Sequence, residues 1–231
     1  MPFAYLLRSA FDRGLRRTGV GQEGTFDIRS WIGDNPILGK GRLQGSGMED
    51  RVELLTERLR LRRARQGDAP VLFKNYTGAQ NCSRFLQRRA DEDVAHTETM
   101  LEQWCITAWY EAGAPFSWVI STLDDDEPIG LFVVIPEGHK TEIHFGIGER
   151  FWGRGLAVEA GRAAISALWR SPNVQRIWTV CDVENTGSRR VLEKLGFQCE
   201  GTLRKWLVLP AFGNAARDCY VFSSMSHRRV E

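Results

Sequence analysis

From residue 53 onward the apolar and polar positions fall into runs of two periods. Leu59-Arg60-Leu61-Arg62 alternates apolar and basic, the period-2 mark of a half-buried strand. Gly67-Asp68 offers an N-cap for a helix to about Tyr76. Val94, Met100, Leu101, Trp104, Ile106 and Trp109 give residues 91–112 a mainly helical pattern, which Gly113 and Pro115 end. Three strand-like runs follow at residues 116–122, 129–135 and 141–147. Two short turns separate them, Asp124-Asp125-Asp126-Glu127-Pro128 and Pro136-Glu137-Gly138, which favours antiparallel hairpins. The acidic turn reads most simply as a solvated hairpin tip. Residues 156–169 carry apolar positions at i, i+4 spacing, a helix with one buried stripe. Residues 174–181 then read as a strand, 186–195 as a helix, and 197–203 and 219–223 as strands. This order predicts an α+β fold, a mixed and mostly antiparallel sheet flanked by helices.

Composition separates the first 50 residues from the rest. They hold nine of the 23 glycines, with Gly39, Gly41, Gly45 and Gly47 in one short stretch that reads as linker. Before it, residues 1–17 could form a short basic helix with Phe3, Leu6, Leu7, Phe11 and Leu15 as its apolar set. Its charges are Arg8, Arg13, Arg16 and Arg17 against a single acid, Asp12. A membrane-surface or transit segment would have this pattern, but so does a flexible tail, the simpler reading. The predicted organisation is a Gly-rich, basic extension at 1–50 and a folded domain at 51–231. Met48 offers a second possible start of translation, with residues 1–47 as an upstream extension.

The remaining composition mostly excludes. No run approaches 18 consecutive apolar residues, so no membrane-spanning helix is expected. A net charge of +2 gives no strong field for nucleic acid or an anionic membrane. The cysteines, Cys82, Cys105, Cys181, Cys199 and Cys219, are odd in number and form no CxxC pair. That points to a reducing, cytoplasmic compartment, with Cys181 and Cys199 as small buried apolar residues. The four histidines show no HExxH spacing, so no metal is expected.

Arg150-Phe151-Trp152-Gly153-Arg154-Gly155-Leu156-Ala157 follows a predicted strand and opens a predicted helix. Free backbone N–H groups and the positive end of the dipole point out of a helix N-terminus. Glycines there allow positive φ and close backbone approach, and two arginines add charge. Such a loop can cradle a pyrophosphate. It is neither a Walker A motif nor a dinucleotide fingerprint, since no Gly-Lys-Ser/Thr follows and Val158 breaks the GxGxxG spacing. Taken alone, GxG before a helix also fits a structural turn.

A second motif changes the weighing. Arg150-x-x-Gly153-x-Gly155 resembles the acetyl-CoA pyrophosphate loop of the GNAT (Gcn5-related N-acetyltransferase) superfamily. Downstream, Asn185-Thr186-Gly187-Ser188 followed by Leu192-Glu193-Lys194-Leu195-Gly196-Phe197 resembles that family's next signature. Glu57-Arg58-Leu59-Arg60-Leu61-Arg62, with Asp68, is similar to the start of the RimJ/RimL-like branch, the ribosomal-protein N-terminal acetyltransferases and their relatives. The similarity runs from about residue 54 to 223, about three quarters of the chain.

The resemblance implies an acyl-CoA N-acyltransferase fold whose fourth and fifth strands, here near 141–147 and 174–181, splay apart around acetyl-CoA. Phe145, Gly146 and Ile147 would then offer unpaired backbone groups to the cofactor, and the residues from Arg150 to Ala157 would hold its pyrophosphate. Asn185 matches a position that hydrogen-bonds the cofactor arm, and Ser188 lies near the departing thiolate. The implied reaction is direct attack of a primary amine, a protein N-terminal α-amine or a small-molecule amine, without a covalent intermediate. Many relatives protonate the thiolate with a tyrosine on the helix after the fifth strand. This helix has none, so Ser188 is the candidate acid and Glu142 the candidate base, with His144 or water as alternatives. Each has a plainer reading: Glu142 as a structural carboxylate, His144 as packing, Ser188 as a backbone bond near the helix start. Trp206, in the loop 204–214 before the last strand, would help wall the acceptor site. Partners would be the amine acceptor alone, without nucleic acid or membrane, in a monomer or homodimer. A non-catalytic acyl-CoA sensor is the alternative, favoured only by the missing tyrosine.

Overall fold

A computed structural model describes residues 51–213 and 215–226. The expectations for residues 1–50, a basic helix, a glycine linker and an alternative start at Met48, lie outside the described residues. Eight strands form one sheet: β1 (Leu54–Leu55), β2 (Leu59–Arg62), β3 (Phe116–Thr122), β4 (Pro128–Glu137), β5 (Lys140–Ile147), β6 (Arg176–Asp182), β7 (Gln198–Val208) and β8 (Ala216–Met225). Their order is β1-β2-β3-β4-β5-β6-β8-β7. All neighbours pair antiparallel except β5 and β6, which run parallel. The short β1 was not anticipated, so the two strands expected to splay are β5 and β6.

Local chemistry explains the connections. β4 and β5 are joined by Gly138 and His139 alone, with Gly138 at φ 71°, as a two-residue hairpin turn requires. A parallel pair needs a crossover, which α4 (Leu156–Leu168) supplies between β5 and β6. α5 (Thr186–Lys194) leads from β6 to β7 and ends on Gly196 at φ 82°. There the Phe197 N–H donates to Leu192 O at 3.0 Å, a left-handed cap that satisfies an end carbonyl.

The alternation along each strand gives the sheet two buried faces. On one, Ile143, Ile147, Phe132 and Ile177 pack against Leu156, Ala160 and Ala164 of α4 and Leu192 of α5. On the other, Val119 and Leu131 meet Ala69 and Leu72 of α1 (Ala69–Leu72), Tyr76, and Leu101 of α3 (Val94–Leu101), with α2 (Gln80–Ser83) between them in the chain. Trp118 and Phe132 are fully buried, each contributing about 2–3 kcal/mol of hydrophobic stabilisation.

The α1 to α3 face departs most from the sequence pattern. The helix expected at 68–76 is a 3-10 turn (Gln66–Asp68), a single α turn and then a π turn (Phe73–Thr77). The stretch expected at 91–112 is α3, a second π turn (Glu102–Thr107) and a 3-10 turn (Ala108–Tyr110). Asp68 is not the simple N-cap expected. Its carboxylate accepts two bonds from Arg62, at 2.8 and 2.9 Å, and one from the Arg65 N–H at 2.7 Å. The acidic turn is not a free solvated tip either. Asp126 accepts from Arg62 and Ser121, each at 2.7 Å, and pairs with Arg65.

Candidate active site

The parallel pairing of β5 and β6 lasts three rungs: Lys140 with Arg176, Thr141 with Ile177, Glu142 with Trp178. Beyond Glu142 the strands part, while β6 stays paired to β8 through Asp182 and β5 to β4 through Ile147. The result is a fork with Glu142 at its vertex. Gly148 N–H donates to Ile129 O on β4, and Gly146 O crowds Gly130 on the same strand. By period 2, Phe145 and Ile147 therefore turn their backbone groups to the opening and Gly146 does not. Ile147 is already engaged, since its carbonyl accepts the Trp152 indole N–H at 2.8 Å. Of the three residues expected to present free backbone groups, Phe145 alone has both on the open side and unengaged among the described residues. Gly146 serves differently: a Cβ there would stand 2.2 Å from the Tyr76 hydroxyl, so only glycine admits that ring.

The loop at the end of β5 is built on positive φ. Glu149–Phe151 makes a 3-10 turn, then Gly153 (φ 76°) and Gly155 (φ 79°) turn the chain into α4. Phe151 and Leu156 are buried and anchor the loop, with Ala157 half-buried beside them. Between the anchors the backbone faces outward. A Cβ on Gly153 would meet nothing within 4 Å, and one on Gly155 only the Arg58 guanidinium at 3.8 Å. The N–H groups of residues 153–157 find no acceptor among the described residues. Open space, unpaired donors and the positive end of a 13-residue helix suit a pyrophosphate. Arg154 lies at 5.9 Å from the centre of the Phe151 ring and Arg150 at 4.6 Å. Arg150 also forms an ion pair with Glu127 of the β3–β4 turn, which in turn accepts from Asn75 Nδ2 at 3.1 Å.

The titratable groups divide between the two sides of the fork. Glu142, 3% exposed, shares the α1 to α3 face with His144, whose Nε2 lies 2.9 Å from Glu142 Oε1. The distance is that of an ion pair, although the ring N–H is not aligned on the oxygen as a hydrogen bond requires. On the opposite face, at the end of β6, stand Cys181, Asn185 and Ser188. Asn185 caps α5 by accepting the Ser188 N–H on Oδ1 at 3.1 Å, which leaves its amide N–H groups for another partner. Cys181 is buried as expected. Burial pushes its thiol up to about 11, against hydrogen bonding from Ser188, so the sulfur is neutral near pH 7.

A family model described as an acetyltransferase (GNAT) domain matches residues 58–198. The chain belongs to the GNAT acetyltransferase family. It is 31% identical over 156 residues to the uncharacterized N-acetyltransferase p20 of Bacillus licheniformis, covering 66% of this chain and 86% of that protein. It is 27% identical over 164 residues to the [ribosomal protein uS5]-alanine N-acetyltransferase of Escherichia coli (strain K12), covering 69% and 84%. Among solved structures, a GNAT-family acetyltransferase from Bacillus anthracis superposes with a TM-score of 0.67 at 21% identity, over 77% of this chain and all of that one. The microcin C7 self-immunity acetyltransferase, solved with acetyl-CoA and AMP, gives 0.63 at 19% identity, over 79% and 98%.

This GNAT chain is thus an N-acetyltransferase, and its splayed strand pair is the one the motifs implied. Three parts of its site escaped the sequence reading. Tyr76 sits in the π turn against Gly146, and burial raises its hydroxyl above the ordinary value, so it stays a neutral donor. Glu127 was assigned to solvent but holds Arg150. Arg217 of β8 spans Asp182 at 2.7 and 3.0 Å and Glu184 at 2.9 Å, bracing the open end of β6. Two other expectations fail. Trp206 is not in a loop: β7 runs on to Val208 through an irregularity after Leu203, where Lys205 takes φ 49° and its N–H donates to Asp218 at 2.8 Å. Cys199 is exposed, because β7 is the edge of the sheet. Among the described residues no cluster of three metal-ligating side chains occurs, and no helix is long and apolar enough to cross a membrane.

Proposed function

We propose that this GNAT chain transfers an acetyl group from acetyl-CoA to a primary amine, a protein N-terminal α-amine or a small-molecule amine, by direct attack. The observation that carries the reading is the fork that opens beyond Glu142 and ends on the outward-facing glycine loop. The open backbone from Gly153 to Ala157, with Arg154 and Arg150, fits a pyrophosphate; Arg150 must exchange Glu127 for it. The open edge of β5 at Phe145 fits an amide-bearing arm, as do the Asn185 amide N–H groups. Acetyl-CoA supplies the activated acetyl group.

Glu142 takes the proton that the attacking amine sheds, directly, through water or by way of His144. As the new N–C bond forms and the C–S bond breaks, Ser188 passes a proton to the departing sulfur, directly or through water, and takes one back from solvent. The Phe145 N–H faces the opening, where it can stabilise charge on the thioester oxygen. No covalent enzyme intermediate is needed. The two sides of the sheet divide the work: the base stands on the α1 to α3 face and the sulfur leaves on the α4 to α5 face.

Calorimetric titration with coenzyme A, followed by thiol release with a panel of N-terminal peptides and small amines, tests this. Binding together with acceptor-dependent thiol release is expected. Coenzyme A binding without turnover on any acceptor would return the sensor, and absence of binding would remove the loop assignment.

A further inference from the structure

The wall over the opened part of β6 is built by two aromatic rings far apart in the chain. Phe85, just past α2, meets Phe212, in the turn Pro210–Phe212, with 5.6 Å between ring centroids. Both pack on the small cluster of Leu207, Leu209 and Cys219, together with Leu203 and Val180. Val180 lies two residues past Trp178, the last β6 residue paired with β5, so it shares the face of Glu142 beyond the vertex. The ring pair therefore stands on the acceptor side of the opening.

Arg84 lies against both rings, 5.3 Å from each centroid. Its side chain is exposed and has no carboxylate within 4 Å among the described residues. Arg217, the other arginine on Phe212 at 4.0 Å, is by contrast committed to Asp182 and Glu184. Resting beside both rings restricts the rotamers of the guanidinium in advance, and its planar fork matches a carboxylate. Glu142 offers the opposite sign at the vertex.

Resting on the acetyltransfer reading, we propose that Arg84 is a specificity-determining residue that binds a carboxylate on the amine acceptor, while the amine faces Glu142. The carboxylate could belong to an acidic residue next to a peptide N-terminus or to a free carboxylated amine. A polycationic amine is disfavoured in either case.

The test measures kcat/KM of the full chain with acetyl-CoA on matched acceptors. One arm uses peptides beginning Ala-Glu, Ala-Gln and Ala-Lys with the same remainder; the other uses 5-aminovalerate against pentylamine. A charge-assisted hydrogen bond predicts about a tenfold preference for the acidic member of at least one arm, expressed in KM. That arm identifies the source. Arg84→Gln should reduce the preference below about twofold, and 0.5 M salt should weaken it in the wild type. Arg84→Lys should keep part of it, since charge remains without the planar fork. Equal rates across both arms would overturn the proposal, as would an Arg84→Gln variant that slows every acceptor equally and lowers Tm, the result of a mere clamp. Equilibrium binding of the Ala-Glu and Ala-Gln peptides to the coenzyme A-loaded protein decides the case without turnover. Unequal binding with no transfer would count against the acetyltransfer reading and not against Arg84.

Discussion

On the proposed reading, the cofactor half of this site is made of backbone and the acceptor half of side chains. From Arg150 to Ala157 the working groups are N–H donors, two positive-φ glycines and a helix end, all within eight consecutive residues. Across the sheet the groups assigned to the acceptor are Glu142, His144, Tyr76, Arg84, Phe85 and Phe212, brought together from four separate segments. A backbone cradle tolerates change in its side chains but not in its conformation. The assembled half has the reverse sensitivity, so acceptor choice can change while the phosphate loop stays fixed.

The largest expected effect falls on the side-chain half. Glu142→Gln removes the proposed base at the vertex and should lower kcat by about 10²-fold or more, flatten its pH profile and leave coenzyme A affinity unchanged. Stopped-flow or steady-state thiol release against pH measures it. A loss below threefold would hand proton removal to water or His144 and erase the division at that residue.

Next is the backbone half. Valine at Gly155 must adopt φ 79°, although the protein leaves room for it. Strain of about 1–3 kcal/mol should be relieved by remodelling the loop, weakening coenzyme A binding by about 10- to 100-fold. Gly138→Val is the control. It imposes φ 71° with equal space around it, but at the far end of the β4–β5 hairpin. Both variants should lose similar Tm, and only Gly155→Val should lose coenzyme A affinity. If the two behave alike in calorimetry, the Gly155 conformation matters for folding and not for the cradle.

The same contrast explains what was legible in the sequence. The glycine loop between strand and helix, the helix that starts at Thr186, and the alternating strands from β2 to β6 are written in neighbouring residues, and each stands where its pattern implied. What was missed depends on long-range partners. The π turns at Phe73–Thr77 and Glu102–Thr107 have no 3.6-residue signature, because i to i+5 bonding shifts the apolar stripe within a turn. Asp68 has the spacing of an N-cap, yet Arg62, buried six residues earlier, claims its carboxylate. Cys199 looks like a core residue until β7 is found at the sheet edge. Trp206 looks like loop because the irregular stretch after Leu203 breaks the alternation that would have extended the strand. Glu127 and Arg150 lie 23 residues apart, and no local pattern joins them.

Smaller effects follow from those long-range partners. Burial would raise the Asp126 carboxyl, but hydrogen bonds from Arg62, Ser121 and Arg65 overcome it and hold the group at about 2, below its ordinary 3.8. The fold therefore favours the ionised form. This stabilisation is complete above about pH 4 and is lost as pH falls toward 2. Solvent reaches the carboxylate, so about 1 kcal/mol is expected rather than the full linkage value. Urea midpoints should show Asp126→Asn less stable than the wild type at pH 6, with the gap closing near pH 2. A gap independent of pH would mean the loss comes from packing in the β3–β4 turn.

The smallest effect joins the two halves. Arg150 belongs to the cradle, yet its partner Glu127 sits in the β3–β4 turn and also accepts from Asn75, the neighbour of Tyr76. Binding a pyrophosphate through Arg150 requires breaking that ion pair, and a partly exposed pair is worth about 0.2–1 kcal/mol. Glu127→Gln removes the competitor while keeping an acceptor for Asn75. Coenzyme A should then bind about two- to fivefold more tightly, with a smaller gain at high salt, where the wild-type pair is already screened. Arg150→Gln should weaken binding, and the double variant should bind like Arg150→Gln alone. If Glu127→Gln tightens binding equally with and without Arg150, the gain comes from the general field of the loop. The backbone cradle and the acceptor face would then be joined by the sheet alone.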